Sequence, residues 1–376
     1  MASRPAWAEV DLGAIRHNAS LLTSVVAPAA LCAVVKASGY GHGAVAVARA
    51  ALEGGASWLA VALVEEGALL RTHGVTAPVL LLSEPPADTM DDVVALGLTP
   101  TVYTYKGVEA AVKAVAAAEA AQPLTVHVKV DTGMHRVGVA TDEALSVVRA
   151  VVDHRELRLG GVWTHFAVAD EPANPFTDVQ CGRFRGVVDE LSRLGLRPPL
   201  VHAANSAGAL AHPQSRRDLV RCGIALYGVA PSPALAGMEP VAALRPALSL
   251  RARVSFVKRV AAGEAVSYGL RRPLAGPSTV ATVPVGYADG VPWRLGVTGG
   301  EVLVGGRRRP LAGSVTMDQI MVDCGEDAAV MPGDEVVLLG HQGGEHITAW
   351  DWASLTGTIA YEILCGISPR VPKVYR

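Results

Sequence analysis

Ala30-Leu31-Cys32-Ala33-Val34-Val35-Lys36-Ala37-Ser38-Gly39-Tyr40-Gly41-His42-Gly43 is the stretch on which the architecture turns. Its first six residues are apolar throughout, as a strand covered on both faces must be, and a lysine with a glycine-rich turn ends it. The alternation it begins, short apolar runs followed by amphipathic stretches, continues from about residue 30 to 230. After Ala30 to Val35 the strand candidates are Trp58 to Leu63, Pro78 to Leu82, Pro100 to Tyr103, Leu124 to Val130, Gly160 to His165, Leu200 to His202 and Leu219 to Arg221. Between them, Glu65 to His73, Lys106 to Ala121 and Asp178 to Leu194 read as helices, stopped by Gly74, Pro123 and Gly195. Eight such units in succession predict an α/β fold, a (β/α)8 TIM-type barrel, for which about 250 residues is typical. An open doubly wound sheet usually has fewer strands and a Gly-x-Gly-x-x-Gly turn, neither of which is evident.

Pro231, Pro233, Pro240 and Pro246 then break the pattern and suit a linker. Beyond them the strands are punctuated by glycine: Leu248 to Val260, Thr279 to Pro284, Glu301 to Val304, Gln319 to Cys324 and Glu335 to Leu339. Only Ala349 to Leu364 looks helical. The expected domains are a barrel over 10–235 and a smaller, mostly β domain over 236–376. The N-terminal segment 1–9 is expected to join the latter, because the strand candidate Ala6 to Val10 is left over from the barrel.

Composition sets the outer bounds. The 376 residues suggest two or three domains at roughly 150 each. With 50% hydrophobic and 18% charged residues the chain has ample core and is no solvating polymer. Thirty-three basic against 35 acidic residues give a net charge of −2, which steers it to neither nucleic acid nor an anionic membrane. The run Arg307-Arg308-Arg309 reads as a solvated turn. No apolar run approaches the roughly 20 residues of a membrane span, and residues 1–7 lack the core of a signal peptide. Five scattered cysteines without a Cys-x-x-Cys pair argue for a reducing cytoplasm rather than a disulfide framework or a structural zinc site.

A barrel of this type places its active site at the C-terminal strand ends. At or just beyond those ends stand Lys36, Lys129 with Asp131 and Arg136, Thr164 with His165, His202 with Asn205 and Ser206, and Arg221 with Gly223 and Ile224. The set is cationic and poor in carboxylates, so it expects an anionic ligand. Backbone N–H groups at Gly223, Ile224 and Ser206 are suited to phosphate. A lysine ending an apolar strand is poorly solvated, which lowers its pKa and favours Schiff-base chemistry. Metal-dependent hydrolysis would want His-x-His or a His–carboxylate cluster, and glycoside hydrolysis paired carboxylates. Neither occurs, and no metal site is expected.

The run from Ala33 to Gly43 resembles the pyridoxal-phosphate signature of alanine racemases. The stretches around Lys129 to Gly138, Thr164 to Phe166, His202 to Ser206, Val220 to Gly228, Val266 to Gly269, Val285 to Gly290, Thr316 to Gln319 and Thr358 to Glu362 resemble the same family, collinearly over nearly the whole chain. The resemblance implies a cytoplasmic homodimer that racemises alanine for peptidoglycan, each active site completed by the partner chain. It implies that Lys36 holds pyridoxal 5'-phosphate as an aldimine and is one catalytic base, and that Tyr268 from the second subunit is the other. Two bases are needed because the Cα proton leaves one face and returns on the other. Tyr40, Ser206, Gly223, Ile224 and Tyr361 match phosphate-binding positions. Arg221 faces the pyridine nitrogen, and His165 bonds to it. Arg136 and the Met317 amide match contacts to the substrate carboxylate. Lys129, carbamylated in many members, Asn205 and Asp318 match supporting positions. Ser38-Gly39 replaces a more frequent Asn/Asp-Ala or Asn/Asp-Gly pair, Thr316 a common cysteine and Pro369 a frequent aromatic. Another small amino acid such as serine, or a non-catalytic pyridoxal-phosphate-binding role, are the alternatives on the same barrel.

Overall fold

A computed structural model describes residues 5–376. Residues 1–4 of the expected N-terminal segment lie outside the described residues. The chain packs as two compact units. One comprises Gly13–Gly39 and Ala44–Arg245; the other comprises residues up to Leu12, Tyr40–Gly43 and Pro246–Arg376.

In chain order, β1 (Ala6–Val10) belongs to the second of these units. The barrel unit holds β2 (Ala30–Val34), β3 (Trp58–Val61), β4 (Val79–Leu81), β5 (Thr101–Val102), β6 (Leu124–Asp131), β7 (Val139–Ala140), β8 (Leu157–Trp163), β9 (Leu200–His202) and β10 (Leu219–Cys222). All pair in parallel, in the orders β10-β2-β3-β4 and β5-β6-β8-β9, with β7 only flanking β6. Backbone bonds close the ring at both gaps. Leu81 N donates to Thr99 O, and Thr99 N to Val79 O; Asp218 N donates to Val201 O, and Arg221 N to Ala204 O. The eight-stranded barrel is therefore as the alternation predicts.

Along β6 the strand's period of two decides what enters the barrel. Val126, Val128 and Val130 are buried on one face, while His127 and Lys129 are buried on the other. The second face meets Trp58, Trp163 and His202 from β3, β8 and β9, which marks it as the interior. The barrel unit runs on to Arg245, past the expected boundary at 235. Buried Asn18 ties that segment down, donating to Leu226 O and Arg245 O and accepting from Arg245 N.

The other unit is built on a seven-stranded sheet. Its strands are β11 (Leu248–Arg253), β14 (Glu301–Val304), β15 (Arg307–Pro310), β17 (Glu335–Gln342), β18 (Glu345–Ile347) and β19 (Lys373–Tyr375), together with β1 between β11 and β19. A three-stranded sheet pairs β12 (Phe256–Val260), β13 (Ser278–Val283) and β16 (Ile320–Asp323).

Three expectations are corrected by this unit. Residues 248–260 are two strands, not one: the chain leaves β17 for β13, and the break at Val254-Ser255 bonds to Asp334 O and Thr282 O. Arg307-Arg308-Arg309 is strand, not turn. Arg308 meets Glu301, Glu345 and the His346 carbonyl, and Arg309 meets Asp327. The helix expected over 349–364 is two, Ala349–Thr356 and Ala360–Cys365, because Gly357 takes a left-handed conformation at φ 74°. No helix among the described residues is long and apolar enough to cross a membrane.

Candidate active site

Lys36 follows β2 by one residue, at the C-terminal rim of the barrel. The chain does not continue there as an ordinary turn. Ala37, Ser38, Gly39 and Tyr40 are all left-handed, at φ 51°, 53°, 61° and 51°. For residues with a Cβ this costs about 1–2 kcal/mol each. Lys36 thus stands between a strand locked in the barrel wall and a strained turn.

The barrel interior beneath the rim holds a chain of buried polar groups. Arg221, at the end of β10, donates from Nη1 to His202 Nδ1 at 2.8 Å. From Nη2 it donates to Thr164 O at 2.7 Å and Ala203 O at 2.9 Å, with His165 Nδ1 at 3.3 Å. His202 Nε2 lies 2.9 Å from His127 Nδ1. Arginine only donates, so the tautomers are fixed: His202 accepts on Nδ1, carries its proton on Nε2 and passes a hydrogen bond to His127 Nδ1. The remaining nitrogen, His127 Nε2, is buried without a partner among the described residues. Burial, with Arg221 beside them, holds both histidines neutral; His127 is pushed down to about 3 and His202 well below its usual range. Burial lowers the Arg221 guanidinium to about 10, which leaves it charged at neutral pH.

Trp163 on β8 is the platform for two cations. The Arg221 guanidinium lies 4.4 Å from its ring centre and Lys129 Nζ 4.5 Å, while its face stacks on His202. Lys129 is pushed down to about 7, first by burial and then by the positive charges of Arg136, Arg221 and Lys36, partly offset by Asp131. Burial and the same four cations (Arg221, Arg136, Lys129 and Lys36) push His165 well below its usual value. Lys36, Lys129, Arg136, His165 and Arg221 therefore form one electrostatic neighbourhood.

Beside it, buried Ser206 accepts from Gly223 N at 3.0 Å and from Ala225 N at 3.4 Å. With its oxygen so engaged, the hydroxyl proton is left to donate. Asn205 caps the short helix Ser206–Ala211, its side chain accepting from Gly208 N at 2.9 Å. Ile224 follows Gly223 in the same turn.

The remaining candidates belong to the other unit. There Tyr40 and Tyr361 are neighbours, ring centres 6.3 Å apart. Tyr268 is 77% exposed, at the tip of a turn with Ser267, Gly269 and Leu270 at positive φ. Ser314 pins that turn, its hydroxyl donating to Tyr268 O and its carbonyl accepting from Ser267 Oγ. Met317 is exposed, and Asp318 pairs with Arg370 at 2.7 Å.

His127 and Trp163 were not marked by the sequence, and His202 was marked only as a strand-end neighbour. The available signal was polar residues at alternate positions of the otherwise apolar run Val126 to Val130.

A closed parallel barrel whose C-terminal rim gathers two lysines, two arginines and a serine–amide turn defines a class: a barrel enzyme for a small, anionic ligand or cofactor. Residues 10–231 match the family model described as alanine racemase, N-terminal domain, and residues 247–375 the alanine racemase, C-terminal domain. The chain belongs to the alanine racemase family, isomerases that interconvert L- and D-alanine. It is 48% identical to the alanine racemase of Symbiobacterium thermophilum over 99% of this chain and 97% of that protein. With that of Carboxydothermus hydrogenoformans it shares 44% identity over 99% and 100%. The crystal structure of alanine racemase from D-cycloserine-producing Streptomyces lavendulae superposes with a TM-score of 0.94 at 40% identity, over 100% of this chain and 98% of that one.

Proposed function

We propose that the chain racemises alanine with pyridoxal 5'-phosphate carried on Lys36, in a cytoplasmic homodimer that supplies D-alanine for peptidoglycan. The observation that carries the cofactor assignment is Arg221 Nε, a buried donor with no partner among the described residues. It fits an unprotonated ring nitrogen, and the Ser206 hydroxyl beside the Gly223–Ile224 turn fits a phosphate. Tyr40 and Tyr361 are assigned to the same phosphate. When bound, pyridoxal phosphate would supply an electron-withdrawing ring that acidifies the substrate Cα–H.

Everything else falls to side chains. Lys36 Nζ takes or returns the Cα proton on one face, and Tyr268 Oη of the partner subunit acts on the other. Arg221, kept charged, withholds a proton from the ring nitrogen and so limits how far negative charge spreads from Cα. His202 and His127 hold its plane, and His165 borders it. Arg136 and the Met317 amide hold the substrate carboxylate. Lys129, with its pKa near 7, is uncharged often enough to be carbamylated, which turns a cation among cations into an anion beside Arg136. Asn205 and Asp318 keep their supporting roles, the one as a helix cap and the other against Arg370. In domain terms, the barrel unit that ends at Arg245 carries the cofactor, while the other unit brings Tyr268 and Met317 to a neighbour.

The test monitors loss of optical rotation from L-alanine and from L-serine, with visible absorbance recorded on the same samples. Alanine is expected to racemise faster, Lys36→Ala to lose both signals, and Tyr268→Phe to keep the absorbance while losing most of its turnover. A loaded Tyr268→Phe variant that is fully active in both directions rules out the two-base assignment.

A further inference from the structure

The left-handed turn after Lys36 is anchored from the end of the neighbouring strand. Glu66 lies in the first turn of the helix Val64–Thr72, just beyond β3. Its Oε1 accepts the Ala37 N–H at 2.6 Å. Its Oε2 accepts the Ala62 N–H at 2.8 Å and the Leu63 N–H at 3.2 Å. One carboxylate therefore does two things. Oε2 caps a helix, an ordinary duty of a glutamate at that position. Oε1 reaches across to the first residue of the turn, through a bond to an ionised acceptor of the stronger kind. Inside the turn Gly39 N donates to Val35 O at 2.9 Å.

Ala37 and Ser38 are L-residues with a Cβ, held at φ 51° and 53° where such residues seldom stay. Backbone of this kind persists only where the surroundings over-determine it, and the Ala37 amide is the point at which an outside group does so. The direction in which the Lys36 side chain leaves the backbone depends on how the chain turns immediately after it. We propose that Glu66 is a positioning residue of the active site: by holding Ala37–Gly39 left-handed it sets where Lys36 Nζ stands. The proposal rests on the reading that Lys36 carries the cofactor.

The experiment compares cofactor-loaded, full-length wild type with Glu66→Ala and with Glu66→Ala/Ser38→Gly. Glycine at 38 removes the Cβ that makes the left-handed turn costly, so it can restore the turn but not the helix cap. In Glu66→Ala, hydrogen exchange at the Ala37 amide should quicken about tenfold, and visible dichroism of the bound cofactor should fall by about half. The kcat should drop about 10- to 100-fold with KM within about threefold, since a misplacement of about 1 Å can cost that much. The double variant should recover part of the dichroism and about threefold or more in kcat. Wild-type exchange, dichroism and kcat in Glu66→Ala would overturn the proposal, and so would a deficit that Ser38→Gly leaves untouched. A Lys36→Ala chain that kept the visible band would refute the reading of Lys36 instead, and the Ala37 exchange rate would still decide whether Glu66 holds the turn.

Discussion

At Lys129 burial and charge conflict. The residue is 3% exposed, its amine faces Trp163 and it has Arg136, Arg221 and Lys36 in its field, so its pKa falls to about 7. In the unfolded chain it returns to the ordinary lysine value. Between about pH 7 and 10.5 the unfolded state therefore binds more protons, and this group's contribution to stability rises with pH through that window. Below about pH 7 both states are protonated and the folded state bears the full cost. In protein whose Lys129 is not carbamylated, Lys129→Met should accordingly raise the thermal midpoint more at about pH 6 than at about pH 10. His202 gives a second prediction. His202→Phe leaves a buried guanidinium N–H without its 2.8 Å acceptor and should cost about 2–3 kcal/mol, read from the urea midpoint. The strand-end cations were legible in the sequence because each follows an apolar run. The His127–His202–Arg221 chain was not, since a histidine inside a strand is common and only barrel closure makes β6, β9 and β10 neighbours.

At the level of elements, β8 is where packing and chemistry meet. Gly160 and Gly161 leave room for the opposing side chains of β6. A Cβ on Gly161 would lie 2.7 Å from the His127 ring, and one on Gly160 2.3 Å from the Thr125 methyl. Gly161→Ala should therefore displace His127, destabilise the barrel by about 1–3 kcal/mol and lower kcat, measured by unfolding and by racemisation of L-alanine. The barrel strands were readable because burial on both faces makes their sequences apolar without interruption. The β unit was less so. Residues 248–260 form one apolar-patterned run, yet they serve two sheets, and nothing in the run itself marks the change of partner at Val254-Ser255. The arginine run 307–309 was misread because its composition is that of a solvated turn. Its strand state is its antiparallel pairing with Glu301–Val304, and Glu301, Asp327 and Glu345 take up the charges of Arg308 and Arg309 there.

For the whole molecule, a net charge of −2 conceals a barrel rim at which four cations gather. The proposed sharing of active sites between subunits makes a quantitative prediction at this scale. Lys36→Ala and Tyr268→Phe chains should each be nearly inactive alone. Unfolded together and refolded as a mixture, half of the two-fold dimers pair one of each, and each such dimer has one intact site. About a quarter of wild-type activity should return. No recovery in a mixture shown to exchange subunits would mean that Tyr268 acts within its own chain or not at all. The exposed Tyr268, Leu270 and Met317 are the surface to watch in that experiment.

By itself the sequence determined the kinds of elements, the barrel and the cationic character of its rim, because burial on both faces, helical spacing and strand-end position leave local marks in the residues. Tertiary structure alone decided which residues meet. The tautomers of His202 and His127 are set by an arginine on another strand. The conformation of the turn after Lys36 is set by a carboxylate 29 residues further on. The arginine strand is set by its backbone pairing with Glu301–Val304. Each of these depends on groups far apart in the chain, and no local pattern encodes a partner that arrives only when the barrel closes or a sheet assembles.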